Sequence, residues 1–366
     1  MKDKKIKLDI KNKTIQPNHY KISFSKPTIE LNKEDYVAIG EVIESGWVSI
    51  GKHVEALEQY FIKRFKVKYA IACSCATQGL TIAMKAAGWR KKRVAVPSFT
   101  WPSTVYAIES SGGNIPVFCD INSKTWLMDI SYLSPDSYDA VVAVDIFGNQ
   151  ARINTDREII YDAAHGFGMD MLGKRGIAEV VSFSFTKVVS AMEGGMILTN
   201  HNDIADVAKE LRRLSGRMEE INAIVCLRSL KNYNRNQNAK LDIIEEYRKR
   251  LNFGYTIQEV PIDTNHSVFS IMLPNQQMRD TIADAFRKEG IEVKIYYEPL
   301  VGGLPNTDSV FARIISLPIY PAVKEHIKEI CYIVNNAVVD SVDKYVQGKR
   351  YLFKSGYLTE ILQRDK

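Results

Sequence analysis

The chain has 366 residues, 45% of them hydrophobic and 25% charged, with a formal net charge of +6 and five cysteines. That length holds about two domains of ~150 residues with a sizeable core, and the composition is that of a globular protein. No apolar stretch is long enough for a leader or a membrane span, and Cys73-x-Cys75 has neither a second pair nor nearby histidines. The expectation is a cytoplasmic protein with reduced thiols, no metal and no membrane partner.

Six lysines against two aspartates in the first thirteen residues read as a solvated basic arm, residues 1–20, rather than a nucleic-acid tether. From Lys21 an extended opening leads to a helix that Asn32 can cap, with Tyr36, Ile39 and Val42 at helical spacing and Gly46 ending it. A second amphipathic helix is expected over 53–64, with Val54, Leu57, Tyr60 and Phe61 on one face. Tyr69–Cys73 reads as a strand. It leads through Ser74-Cys75-Ala76-Thr77-Gln78-Gly79 into a small-residue helix ending at Ala87. Such a turn offers unpaired N–H groups and the helix dipole to an anion, and Thr77 adds a hydroxyl. The next strand, Val94–Pro97, is followed by Ser98-Phe99-Thr100-Trp101, and further strands are expected at 115–118 and 139–147.

Residues 159–200 organise the rest. Two apolar runs, Ile159–Tyr161 and Val180–Phe185, are short enough for buried strands. Asp162 and His165 follow the first and Lys187 the second, and Glu193-Gly194-Gly195 leads into a third strand, Met196–Thr199. An acid and an amine at the carboxyl ends of neighbouring strands occupy the edge where open α/β sheets bind ligands. Pyridoxal phosphate (PLP) chemistry uses both: the lysine forms the Schiff base, and the carboxylate keeps the pyridine nitrogen protonated so that the ring can draw off electrons. A lone lysine at a strand end is ordinarily a surface residue. With a phosphate turn at Thr77 and an aromatic at Trp101 on the same edge, the pair reads as a site.

Beyond Asn200 helices are expected over 204–214 and, with breaks, 219–251. From Gly254 the pattern becomes strand, strand, helix, strand: Tyr255–Val260, Ser267–Leu273, 276–289 and Ile291–Tyr297. Gly302-Gly303 marks a loop, and a last helix over 323–338 carries Ile327, Ile330 and Val334 on one side. The expected division is a large α/β domain over 21–245, a smaller α+β domain over 246–342 and a tail over 343–366.

In chain order, the stretches SGWVSIGKHVEALEQYF, CSCATQGL, VPSFTWPSTVYAI, YDAAHGFG, VVSFSFTK with EGGMILTN, and ISLPIYP resemble the DegT/DnrJ/StrS sugar-aminotransferase family, over about residues 22–340. The resemblance implies a PLP-dependent transferase of fold type I, with a large mixed, mostly parallel sheet domain and a smaller C-terminal α+β domain. It implies that Lys187 is the Schiff-base lysine and proton carrier, that Asp162 partners the pyridine nitrogen, that His165 lies near the ring hydroxyl, and that Trp101 stacks on the ring. Thr77, Gln78 and Ser182, with Ala76 beside them, are implied as the phosphate site. A homodimer is also implied, in which a partner residue reaches the phosphate. The candidates are Asn234, within Asn232-Tyr233-Asn234-Arg235-Asn236, and Arg217, whose guanidinium suits a phosphate.

The activity implied is amination of a nucleotide-linked keto sugar with glutamate as expected donor, at position 3 of a thymidine-linked 6-deoxyhexose by likeness of YDAAHGFG and VVSFSFTK. Amination at C4 is the rival. A sugar dehydratase of the same fold would carry histidine in place of Lys187, and a non-catalytic regulator would keep the pocket without turnover. One departure from the family concerns the fold. Strands 139–147 and 159–161 should be parallel neighbours, yet only 148–158 connects them, with turn-forming Asn149, Asn154 and Asp156 and no room for the usual helix. Another segment should then cover Val141, Val142 and Val144, and the tail, with Tyr351, Leu352, Phe353, Tyr357, Leu358, Ile361 and Leu362, is the candidate.

Overall fold

The computed structural model describes residues 20–261 and 264–339. Its first half begins with α1 (Lys33–Ser45), α2 (Lys52–Phe65), β1 (Tyr69–Cys73), α3 (Ala76–Ala86), β2 (Arg93–Pro97), α4 (Pro102–Ser110) and β3 (Ile115–Cys119). It continues with β4 (Ala140–Val144), β5 (Glu158–Asp162), β6 (Ala178–Ser182), β7 (Gly195–Thr199), α5 (Asn202–Ser215) and α6 (Glu220–Arg250). Asn32 and Asp35 form a reciprocal capping box at the start of α1, and Gly46 ends it at φ 69°. Of the expected apolar stripe on α1 only Val42 is buried, and Tyr36 faces solvent. The start of α2 has no side-chain cap of its own. The buried Glu220 carboxylate supplies one from α6, accepting from the Gly51, His53 and Val54 amides at 2.8–2.9 Å.

Seven strands form one sheet in the order β1-β7-β6-β5-β4-β2-β3. β7 runs antiparallel to both of its neighbours, and the other pairs are parallel. Successive strand residues alternate between two cores, as the pleat requires. On one face Val94, Val142, Ile160 and Val180 pack under α3, α4 and α5. On the other, Val181, Met196 and Leu198 pack under α2 and the first half of α6.

The expected parallel pair is present: Ala140–Val144 lies in register with Glu158–Asp162. The first strand stops at Val144 rather than at 147 because Asp145 turns its carboxylate onto the Ala151 amide at 2.9 Å, and the chain reverses through Phe147 and Gly148, both at positive φ. No helix fills the link. Its face of the sheet, carrying Val141, Ala143, Ile159 and Tyr161, is covered by Met128 and Tyr138 from the β3–β4 connection and by Ala151 from the link itself. Of the three valines expected to need cover, Val141 lies on this face, Val142 packs under α3 to α5 and Val144 packs with Phe99 and Phe147, while the tail, residues 343–366, lies outside the described residues. Arg175 locks the arrangement. Buried at 8% exposure, it binds both Asp145 oxygens at 2.8 Å, Glu179 at 2.6 Å and the Ala151 carbonyl at 3.1 Å.

The helix expected over 219–251 with breaks is unbroken from Glu220 to Arg250, passing through the anticipated boundary at 245. Its first half belongs to the sheet's core, whereas Ile243, Ile244 and Tyr247 belong to a second core. That second core is built with β8 (Thr256–Ile257), β9 (Phe269–Met272), α7 (Gln276–Lys288), α8 (Pro305–Arg313), β10 (Ile314–Leu317) and a helix over 327–339. Its three strands run antiparallel in the order β10-β9-β8. Two expected strands are corrected. Residues 255–260 shrink to Thr256–Ile257, because Gln258 and Glu259 bond instead to the first unit, at the Thr125, Ile146 and Lys124 backbone. Residues 291–297 form only the isolated bridges Ile22↔Ile291 and Lys294↔Ser316, after which Tyr296 and Tyr297 turn toward the large sheet. The helices α4 and α8, absent from the sequence reading, each begin with proline in the first turn.

Candidate active site

A cavity of about 420 Å³ opens at the carboxyl ends of the parallel strands, where the crossovers leave β1, β2, β5 and β6. Asp162, the last residue of β5, is 5% exposed. Its Oδ2 accepts from the Thr104 hydroxyl at 2.7 Å and its Oδ1 from the Ala164 amide at 3.2 Å, and Thr100 lies 3.1 Å behind Thr104. Burial pushes the carboxyl's proton affinity up. The Thr104 and Ala164 hydrogen bonds and the nearby Lys187 oppose that rise.

Lys187 sits in the loop after β6, where its amide bonds to the Ser184 carbonyl and Ala191 returns to Phe183. Burial brings its amine down to about 8, against the attraction of Asp162 and then Glu193. Its Nζ lies 2.9 Å from His165 Nε2, and the Tyr297 hydroxyl approaches the same nitrogen at 3.2 Å. His165 Nδ1 meets Ser267 Oγ at 2.6 Å. A lysine ammonium only donates, so Nε2 is the acceptor and Nδ1 carries the proton to Ser267. Burial and then the neighbouring lysines hold His165 well below its ordinary value, leaving a neutral ring. Asn265 fixes that ring's loop from the second unit: its amide donates to the His165 and Phe167 carbonyls at 2.6 and 2.9 Å, and its oxygen accepts from the Ser267 amide.

Ala76 and Thr77 line the cavity at the start of α3, and Ser182 lines it at the end of β6. The close approach of β7 shapes this end: a Cβ on Gly195 would lie 2.7 Å from the Ala76 amide nitrogen. Gln78 does not face the cavity. Its side chain donates to Ser215 at 3.0 Å, tying α3 to α5, and its amide to the Cys75 thiol at 3.4 Å. Trp101 stands at the mouth, 56% exposed, edge-on to Tyr296 and Tyr297. Arg217 and Asn234 are exposed and lie outside the cavity of their own chain.

Sequence reasoning missed Thr104, Ser267, Tyr297 and Lys240, all of which line or border the cavity. The proline that opens α4 was the available signal for Thr104, whereas the others come from distant turns and helix faces with no local mark. Among the described residues no group of His, Cys, Asp and Glu can hold a metal, and no helix is long and apolar enough to cross a membrane.

A mixed, mostly parallel sheet with an amine and a buried carboxylate converging at its strand ends defines an α/β transferase of fold type I. The family model described as the DegT/DnrJ/EryC1/StrS aminotransferase family matches residues 30–335, and the chain belongs to that family. A GDP-perosamine synthase of Vibrio cholerae is 28% identical over 360 residues, covering 85% of this chain and 97% of that protein. DesI, solved in the presence of its TDP-sugar product, superposes with a TM-score of 0.80 at 24% identity, over 89% of this chain and 95% of that one. NtdA of Bacillus subtilis, solved with bound cofactor PMP, has a TM-score of 0.72 at 20% identity, over 83% of this chain and 82% of that one. Both structures share the fold.

Proposed function

We propose that this chain is a PLP-dependent aminotransferase that moves an amino group from an amino acid, with glutamate as the expected donor, onto a keto sugar carried by a nucleotide. The observation that carries this reading is the convergence of the Lys187 amine and the buried Asp162 carboxylate in one cavity beside the start of α3. The donor set suits the cofactor. Asp162 would hold the pyridine nitrogen, Lys187 the carbonyl, Ala76, Thr77 and Ser182 the phosphate, and Trp101 a ring face. When bound, PLP supplies an electron sink through which an amino group passes from one carbon to another.

The chain's own residues do the rest. A buried carboxylate costs several kcal/mol unless a positive partner meets it, so Asp162 favours a protonated ring nitrogen, and Thr104 holds the carboxylate in place for it. With its amine near 8, Lys187 has an accessible neutral form that can bond to a carbonyl and then take up and return a proton. The neutral His165, held by Ser267, receives the Lys187 and Tyr297 hydrogen bonds without competing for the charge.

A nucleotide-linked substrate is favoured by the names of the relatives, one a GDP-perosamine synthase and one solved with a TDP-sugar product. The assembly we infer is a two-fold dimer in which Arg217 or Asn234 completes the partner's cavity. Position 3 of a thymidine-linked 6-deoxyhexose is our first candidate and C4 the second. The test is spectroscopic. Glutamate should remove the visible absorbance of the bound cofactor, and one of a panel of TDP- and GDP-linked 3-keto and 4-keto sugars should restore it. Absorbance unmoved by any amino acid would leave a cofactor-binding regulator.

A further inference from the structure

α6 puts a cation into the cavity that nothing above uses. Ser229, Asn236 and Lys240 are spaced seven and four residues apart, share one face of the helix, and all line the cavity. Among the described residues Lys240 makes no hydrogen bond or ion pair. The two carboxylates of the cavity, Asp162 and Glu193, act on Lys187, and the groups that feel the charge of Lys240 are two imidazoles, His165 and His266. Burial alone brings the Lys240 amine down to about 8. Lys240 is half-buried, and an ammonium partly withdrawn from water with no acid beside it is neutralised by an arriving anion. The Asn236 amide, 9% exposed and one turn away, adds a neutral donor on the same face.

We propose that Lys240, with Asn236, is an anion-binding subsite for the reacting substrates, which takes carboxylate or phosphate oxygens at the α6 face of the cavity. The inference rests on the aminotransferase reading and deepens it. Two parts of the substrates carry the required chemistry, the carboxylates of the amino donor and the diphosphate of the sugar nucleotide.

Calorimetry on the PLP-loaded protein with 2-oxoglutarate and, separately, with thymidine diphosphate tests the subsite and tells the two sources apart. Lys240→Gln should weaken one probe about tenfold or more, which corresponds to ~1.4 kcal/mol, and raise KM for the matching substrate more than it lowers kcat. Lys240→Arg should restore most of the affinity. Loss confined to 2-oxoglutarate assigns the donor carboxylate, and loss confined to the diphosphate assigns the nucleotide. If the wild type binds a probe and Lys240→Gln binds it equally well, the subsite is wrong and the function stands. If the wild type binds neither probe, the subsite is wrong, and the function is judged separately by the absorbance test with the TDP- and GDP-linked sugars.

Discussion

Thr104 stands behind Asp162 as its only side-chain hydrogen-bond donor among the described residues, at 2.7 Å in a buried pocket. A hydrogen bond to a charged group is worth about 1.5–3 kcal/mol, so Thr104→Val should raise the proton affinity of Asp162 further. Titration of the apo protein with PLP should then show at least tenfold weaker binding, with Thr104→Ser close to wild type. Unchanged affinity in the valine variant would make Thr104 a packing residue only. Lys187→Ala should bind PLP without covalent attachment and lose all but trace turnover. The amine of Lys187, lowered to about 8, sets a pH dependence with a definite sign: the neutral form that attacks a carbonyl appears above that value. Covalent uptake of PLP by the apo protein should therefore accelerate as pH rises through about 8, whereas an ordinary lysine would show its rise near ~10.4. Asp162, His165 and Lys187 were legible in the sequence because short apolar runs place their successors at one sheet edge. Tyr297 and Ser267 were not, since both reach the cavity from the second unit. The direction of the Gln78 side chain was not legible either, because a βα turn fixes where its backbone lies and leaves its side chain free to turn to Ser215.

At the scale of elements, the short β4–β5 link shows how a crossover works without its helix. The charge cluster of Arg175, Asp145 and Glu179 does the fixing and the β3–β4 connection does the covering. Removing one member of a buried cluster leaves the others uncompensated, at a cost of about 3–5 kcal/mol. Arg175→Met should lower stability in denaturant titration by that order, far more than loss of the exposed Lys249–Glu245 pair, for which about 0.3–0.5 kcal/mol is the usual value. Equal effects would show that the cluster is incidental. Most helices and the strands of the large sheet could be read from apolar periodicity within a few residues. The run at 291–297 could not, because Ile291, Val293 and Ile295 alternate like a strand while its backbone groups are shared between the N-terminal segment and Ser316.

Taken whole, the molecule leaves Tyr36, Ile43 and Trp47 exposed on or beside α1, with Trp47 at 66%, and leaves Arg217 and Asn234 facing outward. A second copy of the chain would cover such apolar residues and bring polar ones to a neighbouring cavity. Light scattering should give a dimer at micromolar concentration, and alanine at Arg217 or at Asn234 should weaken PLP binding without dissociating it. A fully active monomer would contradict the shared site. At the centre of the molecule, the proposed role of the Lys187 amine is to hold PLP in this cavity. Incubation with PLP, reduction with borohydride and peptide mapping tests it most directly. One stoichiometric label is expected, on Lys187 and absent from Lys187→Ala; a label on another lysine, or none, would overturn that role.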